Sequence, residues 1–308
     1  MSANTPWESV IEALAKSGWS ARVVAAAHLD DLRARVAGVL ESGDLPDEAA
    51  ARIANEVAFA LPDGLEAARS VIVGAIARPL TQATLTIGGT KHTVPVPPHY
   101  AGYFTVPDGL AEAAGAALAP FGHRAVRFEP PLKTLAAGAG LASYGRNNIA
   151  YVPGLGSYFM LAACASDAPP PDDAVWADPL QLARCERCSA CGRACPTGAI
   201  RADRFLLETE RCLTFVNEDS APFPDWVDPA WHTCAVGCLR CQLACPENAA
   251  VELTAEPPLE FDEQESAAIL AATAGSELAT TTRAKLRLCG LDYSPELIAR
   301  NLRALLKA

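Results

Sequence analysis

Cys185-Glu-Arg-Cys188-Ser-Ala-Cys191-Gly-Arg-Ala-Cys195-Pro196 and its shorter echo, Cys238-Leu-Arg-Cys241-Gln-Leu-Ala-Cys245-Pro246, decide how this chain is read. Two residues between successive thiolates let a turning backbone reach adjacent corners of an iron–sulfur cube. The fourth cysteine, three residues further on and followed by a helix-breaking proline, points away toward a second cube. The pattern predicts two [4Fe-4S] clusters with crossed ligation. Cys185, Cys188, Cys191 and Cys245 would hold one; Cys195, Cys238, Cys241 and one more would hold the other. Cys212 and Cys234 both compete for that last place, and spacing alone does not choose between them. Paired tetrahedral zinc sites rarely use a C-x2-C-x2-C-x3-C-P run, so zinc is the weaker alternative.

Outward from these motifs, the window 167–265 holds 19 acidic and 7 basic side chains, a net −12, against −11 for the whole 308-residue chain, so the rest is close to neutral. Acidic groups around anionic clusters push their potentials down, which favours strongly reducing centres. No basic block stands out to pair with phosphates, and nucleic acid is a poor default partner. Half of the residues are hydrophobic and a fifth are charged, an ordinary globular composition. The N-terminal residues lack an export-type leader and no apolar run reaches membrane-spanning length, so a cytoplasmic protein without a membrane partner is expected. In a reducing compartment, eleven cysteines point to metal or redox chemistry before disulfides. Cys164 and Cys289, each in an apolar stretch, read as buried thiols.

Thr5 as N-cap, Pro6 and Glu8 predict an opening helix with Trp7, Val10, Ile11 and Leu14 on one face. A second helical stretch is read from Val24 through Leu29, Leu32, Val36 and Leu40, and a third from Asp47 to about Ala60. Ser70 to Ala77 is a continuous apolar run suited to a buried strand, and Thr84 to Val96 alternates like a hairpin around Gly88-Gly89. Residues 108–119 and 132–139 read as helical, and 125–128, 149–152 and 158–164 as extended. The fold class expected is therefore an α/β (α+β) N-terminal cofactor-type domain over residues 1–167. A linker at Ala168-Pro-Pro-Pro-Asp-Asp173 leads into a bacterial ferredoxin-like double [4Fe-4S] domain over 168–254, and a short helical tail covers 255–308.

The cysteine module, with Arg211-Cys212-Leu-Thr-Phe215 between its two halves, resembles the double-cluster domain of epoxyqueuosine reductases, which they share with reductive dehalogenases. Upstream, Pro131 to Leu141, Tyr144-Gly-Arg-Asn-Asn148 and Gly156-Ser-Tyr-Phe159 are similar to the same family. The resemblance implies Cys212 over Cys234 as the remaining ligand. It also implies a base-off cobalamin, with Gly145, Arg146, Asn147, Asn148, Gly156 and Ser157 as candidates for lining it. Where the family carries a general-acid aspartate, Arg127-Phe-Glu-Pro-Pro131 offers Glu129. Tyr100, on the loop after Pro97-Pro98, is a second candidate proton donor, with Tyr103 near it. His28, His92, His99, His123 and His232 are scattered, and no D-x-H-x-x-G run supplies a lower cobalt ligand.

Two functions are expected from these readings. In the first, an external ferredoxin or flavodoxin feeds both clusters, and cobalamin reduces a small-molecule substrate. In the second, the protein holds clusters only and passes electrons to a partner such as a corrinoid enzyme. The resemblance implies a tRNA-binding C-terminal part longer and more basic than residues 255–308 allow, which with the acidic charge argues against tRNA as a partner.

Overall fold

Ser70–Ala77 forms the central strand β2 of the first sheet because both of its faces are covered, which is why it reads as an unbroken apolar run rather than an alternating one. The computed structural model describes residues 6–307, and the expected N-cap Thr5 lies outside the described residues. The chain divides into two compact units that are discontinuous in sequence. One comprises residues 1–77 and 104–188, the other 78–103 and 189–308.

In the first unit, helix α1 (Pro6–Lys16) is closed by Gly18 in the left-handed conformation, and the chain turns into strand β1 (Trp19–Ala25). Helices α2 (Leu29–Glu41) and α3 (Asp47–Glu56) follow. After the excursion to the second unit come helix α4 (Val106–Leu118), strand β5 (Ala125–Phe128) and helix α5 (Leu132–Gly138). The short strands β6 (Ser143–Tyr144) and β7 (Ala150–Tyr151) and the long strand β8 (Phe159–Ser166) complete the unit. The order β1-β2-β8-β5 is antiparallel throughout, with Val73 opposite Arg22 on one side and Ala163 on the other. Ile72 packs with Trp7, Val10, Leu14, Leu110 and Leu118 beneath α1 and α4, while Val71 and Val73 pack with Leu29, Leu32 and Leu135 beneath α2 and α5. This is a helix–sheet–helix sandwich, the mixed α/β arrangement expected.

The helix read from Val24 is corrected. Val23 and Val24 belong to β1, where pairing with Ile72 and Val71 outweighs the helical spacing of Val24 with the leucines beyond it, and the helix starts at Leu29. The proline-rich segment 168–173 lies within the first unit, where Trp7 Nε1 donates to the Pro169 carbonyl at 2.6 Å.

In the second unit, strands β3 (Thr81–Ile87) and β4 (Thr90–Val96) form the expected hairpin. The helices at the cysteine motifs are α6 (Ala190–Ala194), which holds Cys191, α7 (Leu213–Glu218), which begins just after Cys212, and α8 (Arg240–Leu243), which holds Cys241. Beyond them the reading as helices alone is corrected, because Leu259–Phe261 is a strand, β9, pairing in parallel with Ala83–Leu85 of β3. Helices α9 (Glu263–Ala271), α10 (Thr280–Leu288) and α11 (Pro295–Leu305) follow. Asp262 and Glu265 form a reciprocal capping box at the start of α9. The Glu263 carboxylate accepts the Gly88 and Gly89 amides at 2.6 and 3.1 Å, clasping the hairpin tip. Val94, Val96, Phe261, Ile269, Leu286, Leu297, Ile298 and Leu302 share one core. Among the described residues no helix is long and apolar enough to cross a membrane.

Candidate iron–sulfur site

The candidate ligands lie on short segments whose backbones turn at each cysteine. Cys185 and Cys188 belong to the first unit, Cys191 and the later motif cysteines to the second. None of the eleven thiols is in a disulfide.

In the first unit, the β6–β7 turn grips the first two cysteines. Tyr144 exchanges backbone hydrogen bonds with Leu180 and Leu182, 2.8 Å each, which brings the strand leading to Cys185 alongside β6. The Arg146 amide then donates to Cys185 Sγ at 3.3 Å. Its guanidinium donates from Nε to the Cys188 carbonyl at 3.2 Å and from Nη2 to the Cys185 carbonyl. The turn admits no side chain at Gly145, where a Cβ would stand 2.4 Å from Asn147 Oδ1 and 2.6 Å from Tyr151 Cε2. Asn147 is buried and donates from Nδ2 to Tyr151 Oη at 2.9 Å, while Asn148 takes a left-handed φ of 58°. Arg146→Ala is expected to cost about 1–3 kcal/mol of stability, since two peptide carbonyls lose a charged donor. Urea unfolding of the apoprotein reads this directly.

In the second unit, the helices carrying Cys191 and Cys241 pack on each other. Cys212 caps the N-terminal end of α7. Burial pushes its thiol up, the Phe215 and Thr214 amides pull it back, and the neighbouring Cys195 raises it again. Cys238 is likewise raised by burial, lowered by the Arg240 amide, and raised by both Cys212 and Cys195. Cys195, Cys212 and Cys238, from three separate segments, therefore lie within electrostatic reach of one another. Arg211 helps bring two of them together by donating from Nε to the Thr197 carbonyl at 2.7 Å, two residues beyond Cys195, whose Sγ is 3.4 Å from Thr197 Oγ1. Cys234 feels Cys238 alone among the cysteines, is 1% exposed and is pushed to about 12 by burial. Cys164 and Cys289 are buried and raised to about 12 in the same way. Among the described residues no three His, Cys, Asp or Glu side chains converge as they would on a single metal ion.

The chemistry of the second unit's cysteines suits a cluster rather than a lone ion. Its donor set is thiol-only, drawn from separate segments, and met by backbone amides of the kind that hydrogen-bond cluster sulfurs. The corrinoid set is different. Gly145, Asn147, Gly156 and Ser157 are buried, and the polar atoms of Arg146 and Asn147 are engaged within the protein. The side chains do not by themselves form an open lining for a macrocycle.

The two candidate proton donors lie in different settings. Glu129 is exposed at the end of β5, paired with Arg127, whose Nη1 also donates to Asp108 at 3.1 Å and to the Phe104 carbonyl at 3.0 Å. Tyr100 is 6% exposed, and its hydroxyl donates to Glu218 Oε1 at 2.6 Å. Burial and the Glu218 carboxylate raise it well above the ordinary phenol range, so it is a poor proton source there.

Residues 184–248 match the family described as the 4Fe-4S double cluster binding domain. Over 160 residues, half of this chain, it is 33% identical to an epoxyqueuosine reductase of Burkholderia pseudomallei. Over that half it is similar to the epoxyqueuosine reductases, and residues 184–248 carry the double-cluster domain. Its match covers 38% of the Burkholderia pseudomallei protein, and matches to the Yersinia pestis and Escherichia coli epoxyqueuosine reductases cover 23% and 25% of theirs. The solved epoxyqueuosine reductase of Streptococcus thermophilus shares the fold, with a TM-score of 0.64 at 19% identity, over 99% of this chain and 81% of that one. So does an epoxyqueuosine reductase solved with an epoxyqueuosine-modified tRNA-Tyr stem loop, at a TM-score of 0.61 and 20% identity over 97% and 80% of the two chains.

Proposed function

We propose that this chain is an iron–sulfur oxidoreductase that takes electrons from an external ferredoxin or flavodoxin. Cys185, Cys188, Cys191, Cys195, Cys212, Cys238, Cys241 and Cys245 are the ligands of two [4Fe-4S] clusters. The observation that carries this reading is the match of residues 184–248, which hold the cysteine motifs, to the double-cluster domain; Cys195, Cys212 and Cys238 lying within electrostatic reach of one another agrees with it. When bound, such clusters supply one-electron carriers of low potential. The chain's own part is to hold the thiolates, to aim amides at them from Arg146, Thr214, Phe215 and Arg240, and to surround them with carboxylates. Amide dipoles favour the reduced, more negative state, and carboxylates oppose it. In this reading Cys234 is a buried neighbour rather than a ligand.

Cobalamin as the final electron carrier to a small-molecule substrate rests on the family likeness. A second reading, a clusters-only protein serving a partner enzyme, is favoured by the inward commitment of Arg146 and Asn147. Anaerobic reconstitution followed by incubation with cobalamin separates the two. About eight irons per chain with one cobalt supports the reductase, and about eight without cobalt supports the carrier. About four irons would overturn the two-cluster assignment. For tRNA, the net charge of −11 and the likeness to the stem-loop-bound reductase pull in opposite directions. Titration with an epoxyqueuosine-containing stem loop at low salt decides between them.

A further inference from the structure

Helix α11 lies outside residues 184–248, the span of the double-cluster family, yet its most buried polar residue reaches into the segments that carry the second cluster's ligands. Asn301 is 0% exposed. Its Nδ2 donates to the Asn217 carbonyl at 2.9 Å and to the Ala235 carbonyl at 3.1 Å. Its Oδ1 accepts from Arg300 Nη2 at 2.9 Å, and that same nitrogen donates to the Val216 carbonyl at 3.0 Å. Asn217, 1% exposed, completes the connection by donating from Nδ2 to the Gly237 carbonyl at 2.9 Å.

Val216 and Asn217 lie in the helix that starts from Cys212, and Ala235 and Gly237 lie in the segment that runs into Cys238. Two carbonyls, one from each ligand-bearing segment, thus share one buried amide. A buried amide that satisfies several partners fixes their spacing closely, because moving either segment leaves a polar group unpaired away from water. Apolar packing alone would permit sliding of the two segments, and a primary amide with two directed donors does not.

We propose that Asn301 is a positioning residue for the second cluster, setting the separation of the Cys212 and Cys238 segments, with Asn217 as its relay. The inference rests on the iron–sulfur reading above. Its chemistry lies in the ligand frame: no electron or proton passes through Asn301. The C-terminal helix is thereby part of the cofactor site.

The test uses anaerobically reconstituted full-length protein, read by iron and sulfide content and by a potentiometric titration followed by electron paramagnetic resonance. Asn301→Leu keeps the branched outline of the side chain and removes its donors and acceptor. The expected result is loss of the signal of one cluster or a shift of its midpoint potential, with the other cluster unchanged. Leu302→Ala, in the apolar core of the same helix, is the control for mere destabilisation; it is expected to lower the melting temperature while leaving both potentials in place. Where Asn301→Leu does not accumulate as folded protein, Asn301→Ser, which retains one donor, carries the same measurement. Two clusters with wild-type potentials in the Asn301 variant overturn the proposal, as does an equal shift in Leu302→Ala. Wild-type protein holding a single cluster would instead overturn the two-cluster reading, and this inference with it.

Discussion

Cys212→Ser is expected to lower the iron content of reconstituted protein from about eight to about four per chain and to remove one of two paramagnetic signals after reduction. Cys234→Ser is expected to keep both. The contrast follows from the environment of each thiol. Cys212 lies at the start of α7, faces the Thr214 and Phe215 amides, and stands in the field of Cys195. Those amides favour the thiolate that a cluster needs. Cys234 is near-completely buried, adjoins the Ala235-Val236 part of the apolar core, and shares its hydrogen bond with Thr233 Oγ1 at 3.7 Å. A serine there retains a small polar group beside the same threonine. Equal iron loss from both variants, or loss from Cys234→Ser alone, would reverse the assignment.

The second large effect concerns Gly237, the residue before Cys238. Its φ of 66° is left-handed, and a Cβ on it would lie 2.5 Å from Tyr100 Oη and 2.8 Å from Tyr100 Cε2. Gly237→Ala is expected to destabilise the apoprotein by about 2–5 kcal/mol, combining the cost of a left-handed alanine with overpacking against a buried ring. The ring cannot retreat freely, because its hydroxyl is held by Glu218. Urea unfolding of Gly237→Ala beside Gly237→Ala/Tyr100→Phe separates the contributions. The double variant is expected to recover part of the loss but not the left-handed part, and full recovery would mean that the backbone is unstrained.

Much of this was legible because local chemistry and final structure agree. Ser70–Ala77 reads as a strand covered on both faces and is one, and the segment with the cysteine spacing matches the double-cluster domain. Legibility ends where partners are distant in sequence. Val24 keeps helical spacing with Leu29 and Leu32, and only Val71 opposite it makes it a strand residue. Tyr100 lies on an exposed-looking Pro-Pro loop, and its partner Glu218 is 118 positions away. Leu259–Phe261 is too short to announce a strand without Ala83–Leu85 beside it. Asn301 did leave a signal: it falls on the apolar stripe of Leu297, Ile298 and Leu302, where an amide is out of place unless buried carbonyls require it. Arg211 stood out only as the residue before Cys212, and nothing in the sequence pointed to the Thr197 carbonyl as its partner.

The parallel pairing of β9 with β3, and the clasp of Glu263 on the Gly88-Gly89 tip, also bear on when this molecule matures. A hairpin made early during translation has no neighbour for its edge until some 170 further residues have left the ribosome, and Asn301 emerges later still. Contacts of such separation form slowly. The frame around the second unit's thiols therefore closes only at the end of synthesis, after every cysteine from Cys191 to Cys245 has emerged.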